Sequence, residues 1–307
     1  MDQAELDTFN QQFIARYGDN EEGLIERIES KIMLEIVNIK NTLFPDGNDT
    51  GIIEYIQTNH PNFLFLGGGS ILSRDEFGET GRYDPWAARY SGMLGANVFN
   101  MDHGAQLDPD VEGPGKVFTH LPVNMLTYDW NELHVMAPDG FDLIYCRQVI
   151  GNAPSEGIRS AIREREIPKS VLPKYNMAIW EKLQSYRGRD DIWPYLSETT
   201  QNLMIPDPAN DLENYSDLYI NALAEVVHIM YDLAYTHHNP FRNDKAIRMA
   251  EEWALNGRNW LVDALMPELR AWAVDQAEKV LKEGGGAFIE GQKYKKMNGK
   301  CILMNTD

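Results

Sequence analysis

Five short apolar runs, set too far apart for tight hairpins, constrain this chain more than any other feature. They are Phe63-Leu64-Phe65-Leu66, "ANVFNMD" ending on Asp102, "KVFTHLPV" from Lys116, "FDLIYCRQVI" from Phe141 and "AFIEG" from Ala287. Each has strand length and is mostly apolar, without a regular polar alternation. Runs of that kind fit strands buried on both faces, the condition of a parallel sheet covered by helices. Parallel neighbours need crossovers of about a dozen residues or more. The segments between the runs supply them. "DPWAARYSGMLG" reads as a helix, with Asp84 as N-cap, Pro85 in the first turn and Gly95 at the stop. "ELRAWAVDQAEKVLKEGGG" reads as a helix that stops on its glycines. The C-terminal "QKYKKMNGKCILMN" reads as two strands joined by Asn298-Gly299, the strongest short hairpin signal.

Two further regions flank this pattern. Before Pro61 the chain reads as helical, with Ile25, Ile28, Ile32, Ile36 and Ile39 forming one apolar stripe. From Gly151 to about Glu268 it is aromatic-rich and helical in pattern. The expected organisation is a helical segment over 1–60, an α/β core over 61–150 and 269–307, and a helical insertion over 151–268. That insertion follows the carboxyl end of the fourth strand, where open α/β sheets hold ligands, and is expected to cap the site.

Composition narrows the partners. A net charge of −19 over 307 residues repels phosphate backbones and anionic lipid, which argues against nucleic acid and membrane surfaces. It suits neutral or cationic small molecules. No apolar run reaches membrane-spanning length, and "MDQAELDTFNQQF" lacks the basic start of a signal peptide. Cys146 and Cys301 lie in apolar runs and read as buried small hydrophobes. The expectation is a soluble cytoplasmic protein, with a homo-oligomer left open. His228 with Asp232, and His237-His238, do not assemble the three or four ligands a metal site needs, so no metal is expected.

The turn after the first strand is Gly67-Gly68-Gly69-Ser70. Glycine reaches positive φ and lets backbone approach a ligand closely. A buried strand entering such a turn, followed by a second strand ending on Asp102, resembles the class I S-adenosylmethionine-dependent methyltransferases. The resemblance covers residues 62–150 and 270–307. It implies a Rossmann-like, mostly parallel seven-stranded sheet with an antiparallel C-terminal hairpin, and S-adenosylmethionine as cofactor. It implies that Gly67, Gly68 and Gly69 lie under the cofactor's methionine part and that Asp102 binds the ribose hydroxyls. His103 would lie near the adenosine, and Asn124 or Asp129 would contact the adenine. Cys146 and Arg147, ending the fourth strand, would border the cofactor cleft. Phe65 stands where the family carries an acid, and Ile71 where its third glycine falls. Asp75, Glu76 and Glu79 in the following loop are candidates to replace that acid.

Methyl transfer from a sulfonium needs an aligned nucleophile more than an acid or base. No catalytic residue is therefore assigned. Arg147 and Gln148 are candidates for the acceptor, Arg147 either by a bidentate hold on a carboxylate or by an internal salt bridge instead. Tyr231 and Tyr235, four apart, read either as core or as one wall of an acceptor pocket for a cationic amine. The expected function is S-adenosylmethionine-dependent methylation of a small molecule. Two alternatives stand beside it. One is a noncatalytic ligand-binding protein on the same fold. The other is a nicotinamide or flavin oxidoreductase, whose fingerprint wants glycine where Leu72 stands.

Overall fold

The computed structural model describes residues 7–8, 11–12, 24–45, 51–68, 86–102, 116–147, 168, 170–190, 192–204, 218, 221–223, 225–226, 229 and 265–304. The chain divides into two compact units, Met1–Val149 with Ala273–Asp307, and Ile150–Trp272.

The first unit is an α/β sheet of seven strands in the order β3-β2-β1-β4-β5-β6-β7. Its strands are β1 (Asn62–Leu66), β2 (Asn97–Met101), β3 (Thr119–Leu121), β4 (Phe141–Cys146), β5 (Leu281–Ile289), β6 (Gln292–Met297) and β7 (Lys300–Leu303). The first five run parallel, and β6 and β7 return antiparallel as a meander. β1 neighbours both β2 and β4, so the strand order reverses direction between β1 and β4. Residues of both parities on these strands are buried, Phe63 and Phe65 as well as Leu64 and Leu66, which is why the runs do not alternate.

Three helices share one core with the sheet: α1 (Leu24–Leu43), α2 (Ile52–Asn59) and α3 (Trp86–Leu94). The C-terminal part of the isoleucine stripe is a packed helical face, because Ile36, Ile39 and Leu43 of α1 pack with Ile52 and Ile56 of α2 and with Phe63, Phe65, Leu143, Tyr145 and Phe288. Tyr145 stacks on Phe288 at 5.0 Å between ring centroids and meets Phe65 at 5.7 Å. Gly95 ends α3 with φ 111, the positive value the stop requires.

Three expectations need correction. The third strand is only three residues long, and the fourth ends at Cys146 rather than running on to Ile150. The helix before β5 covers residues 265–280, and the triple glycine 284–286 lies inside β5. The β4–β5 register shifts between Phe141 and Leu143, which take Leu281 and Gly286 as partners. Side chains have no room there. A Cβ on Gly285 would lie 2.9 Å from Phe141 O, and one on Gly286 would lie 2.8 Å from Thr42 O at the end of α1. These glycines therefore serve a bulge and a close helix–strand approach, not a helix stop. Cys146 is buried as expected, but Cys301 is only half-buried, on the edge strand β7.

The second unit contains a helix Leu172–Gln184 and a short helix Glu198–Leu203 capped by Ser197, whose Oγ accepts from Thr200 N. Among the described residues no helix is long and apolar enough to cross a membrane.

Candidate functional site at the carboxyl edge of the sheet

Strand register aligns Leu121, Met101, Leu66, Cys146 and Ile289 across the parallel strands. The residues directly beyond that row are Pro122, Asp102, Gly67, Arg147 and Glu290. One edge of the sheet thus brings together a glycine turn, two carboxylates and a guanidinium, at the point where strand order reverses. Crevices at such reversal points are where open α/β sheets hold ligands.

The turn itself is tightly built. Gly67 N donates to Met101 O at 2.7 Å, and Gly67 then takes φ 57 to leave the sheet. Gly68 lies against the side chain of Asn100, where an added Cβ would sit 2.4 Å from Asn100 Oδ1. A side chain fits there only if Asn100 moves. Gly67 and Gly68 are half-buried and carry no side chain, the condition that allows a ligand close to backbone.

Phe65 is 1% exposed, with its ring among Phe63, Tyr145 and the α1 residues. Burying that ring contributes about 1.5–3 kcal/mol. An ionised carboxylate in the same place would lose its hydration without a partner. The absence of an acid at this position thus has a packing cause.

Asp102 directly follows β2, is half-buried, and donates its own N–H to Leu121 O at 3.1 Å. That bond fixes the backbone from which its carboxylate projects. Asn124 and Asp129 have local roles. Asn124 Oδ1 accepts from Leu126 N at 2.9 Å, and Asp129 caps the 3-10 helix Trp130–Val135 by accepting from Asn131 N. Arg147, which the sequence leaves between two uses, makes the internal salt bridge: its Nη1 lies 3.7 Å from Glu35 Oε1 on α1. Beside it Asn38 Nδ2 donates to the Tyr145 hydroxyl at 3.4 Å. Burial first, and Glu35 second, push that hydroxyl well above the usual phenol range. Gly69, His103, Gln148, Tyr231, Tyr235 and the loop acids Asp75, Glu76 and Glu79 lie outside the described residues.

Three residues of this edge escape a reading of the sequence by motif. Asn100 is fully buried in β2, and its Nδ2 lies 3.3 Å from His120 Nδ1 on β3. A polar residue inside the apolar run "ANVFNMD" is the available signal. Glu35, on the helical stripe's border, carries no signal of its own. Glu290 follows β5, where its Oε1 accepts from Cys146 Sγ at 3.6 Å. Among the described residues no group of three or more His, Cys, Asp or Glu could hold a metal ion. Comparison with protein-family models finds no match to the chain, and comparisons with curated proteins and with solved structures find none.

Proposed function

We propose that this chain is an S-adenosylmethionine-dependent methyltransferase acting on a small-molecule acceptor. The observation that carries the reading is the pairing of a side-chain-free turn at Gly67-Gly68 with Asp102 at the end of the neighbouring strand, both beside the reversal of strand order. The residues present suit the group. A Cβ at Gly68 would collide with the buried Asn100, which the absence of a side chain in the turn avoids. A carboxylate one strand away offers paired acceptors for vicinal ribose hydroxyls. When bound, the cofactor supplies a methyl on a sulfonium, an electrophile that needs no acid. The chain's own task is to bind, to align and to keep water out. Arg147, paired with Glu35, borders the edge.

Calorimetry with S-adenosylmethionine and S-adenosylhomocysteine tests this reading. Micromolar binding, about −8 kcal/mol, is expected. Asp102→Ala should weaken it by about 1.5–3 kcal/mol, the worth of hydrogen bonds to a charged group. Equal binding by wild type and variant removes Asp102 from the site. No binding by the wild type favours the noncatalytic ligand-binding reading, for which the buried ring of Phe65 in place of an acid is the supporting observation.

A further inference from the structure

The meander β5-β6-β7 is closed by two two-residue turns of the same geometry. Glu290-Gly291 has φ 46 and 85, and Asn298-Gly299 has φ 53 and 76. Positive φ at both central residues is what a type I′ hairpin turn demands, and Asn, Asp and Gly are the residues that tolerate it. Asn298 obeys that preference. Glu290 does not, since glutamate lacks the short side chain that eases the left-handed region. The two turns lie at opposite ends of the strands. Asn298-Gly299 lies at the amino edge. Glu290-Gly291 lies at the carboxyl edge, in the row that holds Asp102, Gly67 and Arg147.

The carboxylate is also aimed. Tyr145 faces α1, so alternation along β4 turns Cys146 to the opposite face of the sheet. Cys146 Sγ donates to Glu290 Oε1 at 3.6 Å, and Glu290 N donates to Cys146 O at 2.9 Å. One oxygen of Glu290 is thereby fixed at the end of β4, across the strand-order reversal from Gly67. Arg147 is turned towards Glu35 on α1. A residue that contradicts its local turn, yet is held at a ligand edge, marks a place where function overrides folding preference.

We propose that Glu290 is a ligand-binding carboxylate of the carboxyl edge, recognising a cationic group of the bound small molecule. This rests on the methyl-transfer reading, in which the donor carries a sulfonium and an ammonium. Glu290 binds one of these charges and is kept in the turn at the expense of hairpin stability.

Thermal unfolding and calorimetry of the wild type, Glu290→Asn and Glu290→Gln test the assignment. Glu290→Asn should melt higher by roughly 1–3 °C, because the turn gains its preferred residue. Both variants should bind S-adenosylmethionine at least about tenfold more weakly. A loss confined to S-adenosylmethionine places the carboxylate at the sulfonium. An equal loss with S-adenosylhomocysteine places it at the shared ammonium. Affinities within about twofold of wild type in both variants overturn the assignment. If the wild type binds neither molecule, the methyl-donor reading fails on its own and the turn decides for Glu290. A lower melting temperature for Glu290→Asn then shows a structural residue and overturns the proposal, whereas a higher one supports a glutamate retained against the fold's preference.

Discussion

The two edges of the parallel sheet are built on opposite plans. At the amino edge polar groups are gathered into closed sets. Asp142, 3% exposed, accepts from Asn62 N at 2.9 Å and from the Tyr55 hydroxyl at 3.0 Å, and pairs with Lys282. Asn62 Nδ2 donates to Gly140 O, and Asn97 Nδ2 to Asn62 Oδ1. At the carboxyl edge the same sheet carries a glycine turn, a half-buried aspartate and a glutamate in an unfavoured turn. The first arrangement ties α2, β1, β4 and β5 together. The second is the edge to which the proposed function assigns the ligand. On the proposed function, one sheet separates the work of holding from the work of binding.

The largest expected effect tests the holding edge. Asp142→Ala strips the Tyr55 hydroxyl and Asn62 N of their acceptor and leaves Lys282 without its partner. Unsatisfied buried donors cost about 1–3 kcal/mol each, but Lys282 is half-exposed and can be rehydrated. Urea unfolding should therefore show a loss of about 2–4 kcal/mol. Affinity for S-adenosylmethionine should stay within about twofold. A variant that folds well but loses its ligand would break the separation of the two edges.

Gly68→Ala probes the binding edge from inside. Its Cβ would lie 2.4 Å from Asn100 Oδ1 and 3.4 Å from Phe65 Cβ, so Asn100 must move within a fully buried site. Overpacking of this kind costs about 1–3 kcal/mol. Here stability and ligand affinity should fall together, because the same turn serves both. Adding Asn100→Ala should recover stability by removing the obstructing oxygen. Recovery of stability without recovery of affinity locates the ligand's need in the glycine backbone; full retention of affinity in Gly68→Ala removes this turn from the site.

Much of the holding plan could be read from residue order. The unbroken apolar runs announced a sheet covered on both faces, the isoleucine spacing announced α1, and Asn298-Gly299 announced the last turn. These signals are local, so neighbouring residues suffice to carry them. The errors came where a distant partner decides. Gly284, Gly285 and Gly286 look like a helix stop until Thr42 and Phe141 are seen pressing against them. Phe65 looks like a missing acid until its ring is found beside Tyr145. Arg147 stays open between an acceptor and an internal salt bridge until Glu35, far away in sequence, is found beside it. Glu290 announces nothing, because only strand register brings it level with Asp102 and Gly67.

The smallest expected effect tests how far the closed plan of the amino edge extends. Glu278, near the end of the helix before β5, accepts from Lys300 Nζ at 2.8 Å and from Cys301 N at 3.0 Å on β7. The hydrogen bond from Lys300 lowers the Glu278 carboxyl below its ordinary 4.5, against the opposing effect of burial. A depressed acid contributes stability that is fully present above that ordinary value and is lost as pH falls through its folded value. Lys300 is raised above its ordinary 10.5, chiefly by the same bond, so the pair contributes while both groups are charged and is lost at the alkaline end as pH rises through that higher value. Lys300 is exposed, so the pair is open to screening by salt. The melting temperature of the wild type should therefore show a shallow decline below about pH 4.5 that Glu278→Gln lacks, and the difference should shrink in high salt. Superimposable pH profiles would mean that the charge of Glu278 adds nothing to the hold on β7, and that the charged part of the closed set ends at Asp142 and Lys282.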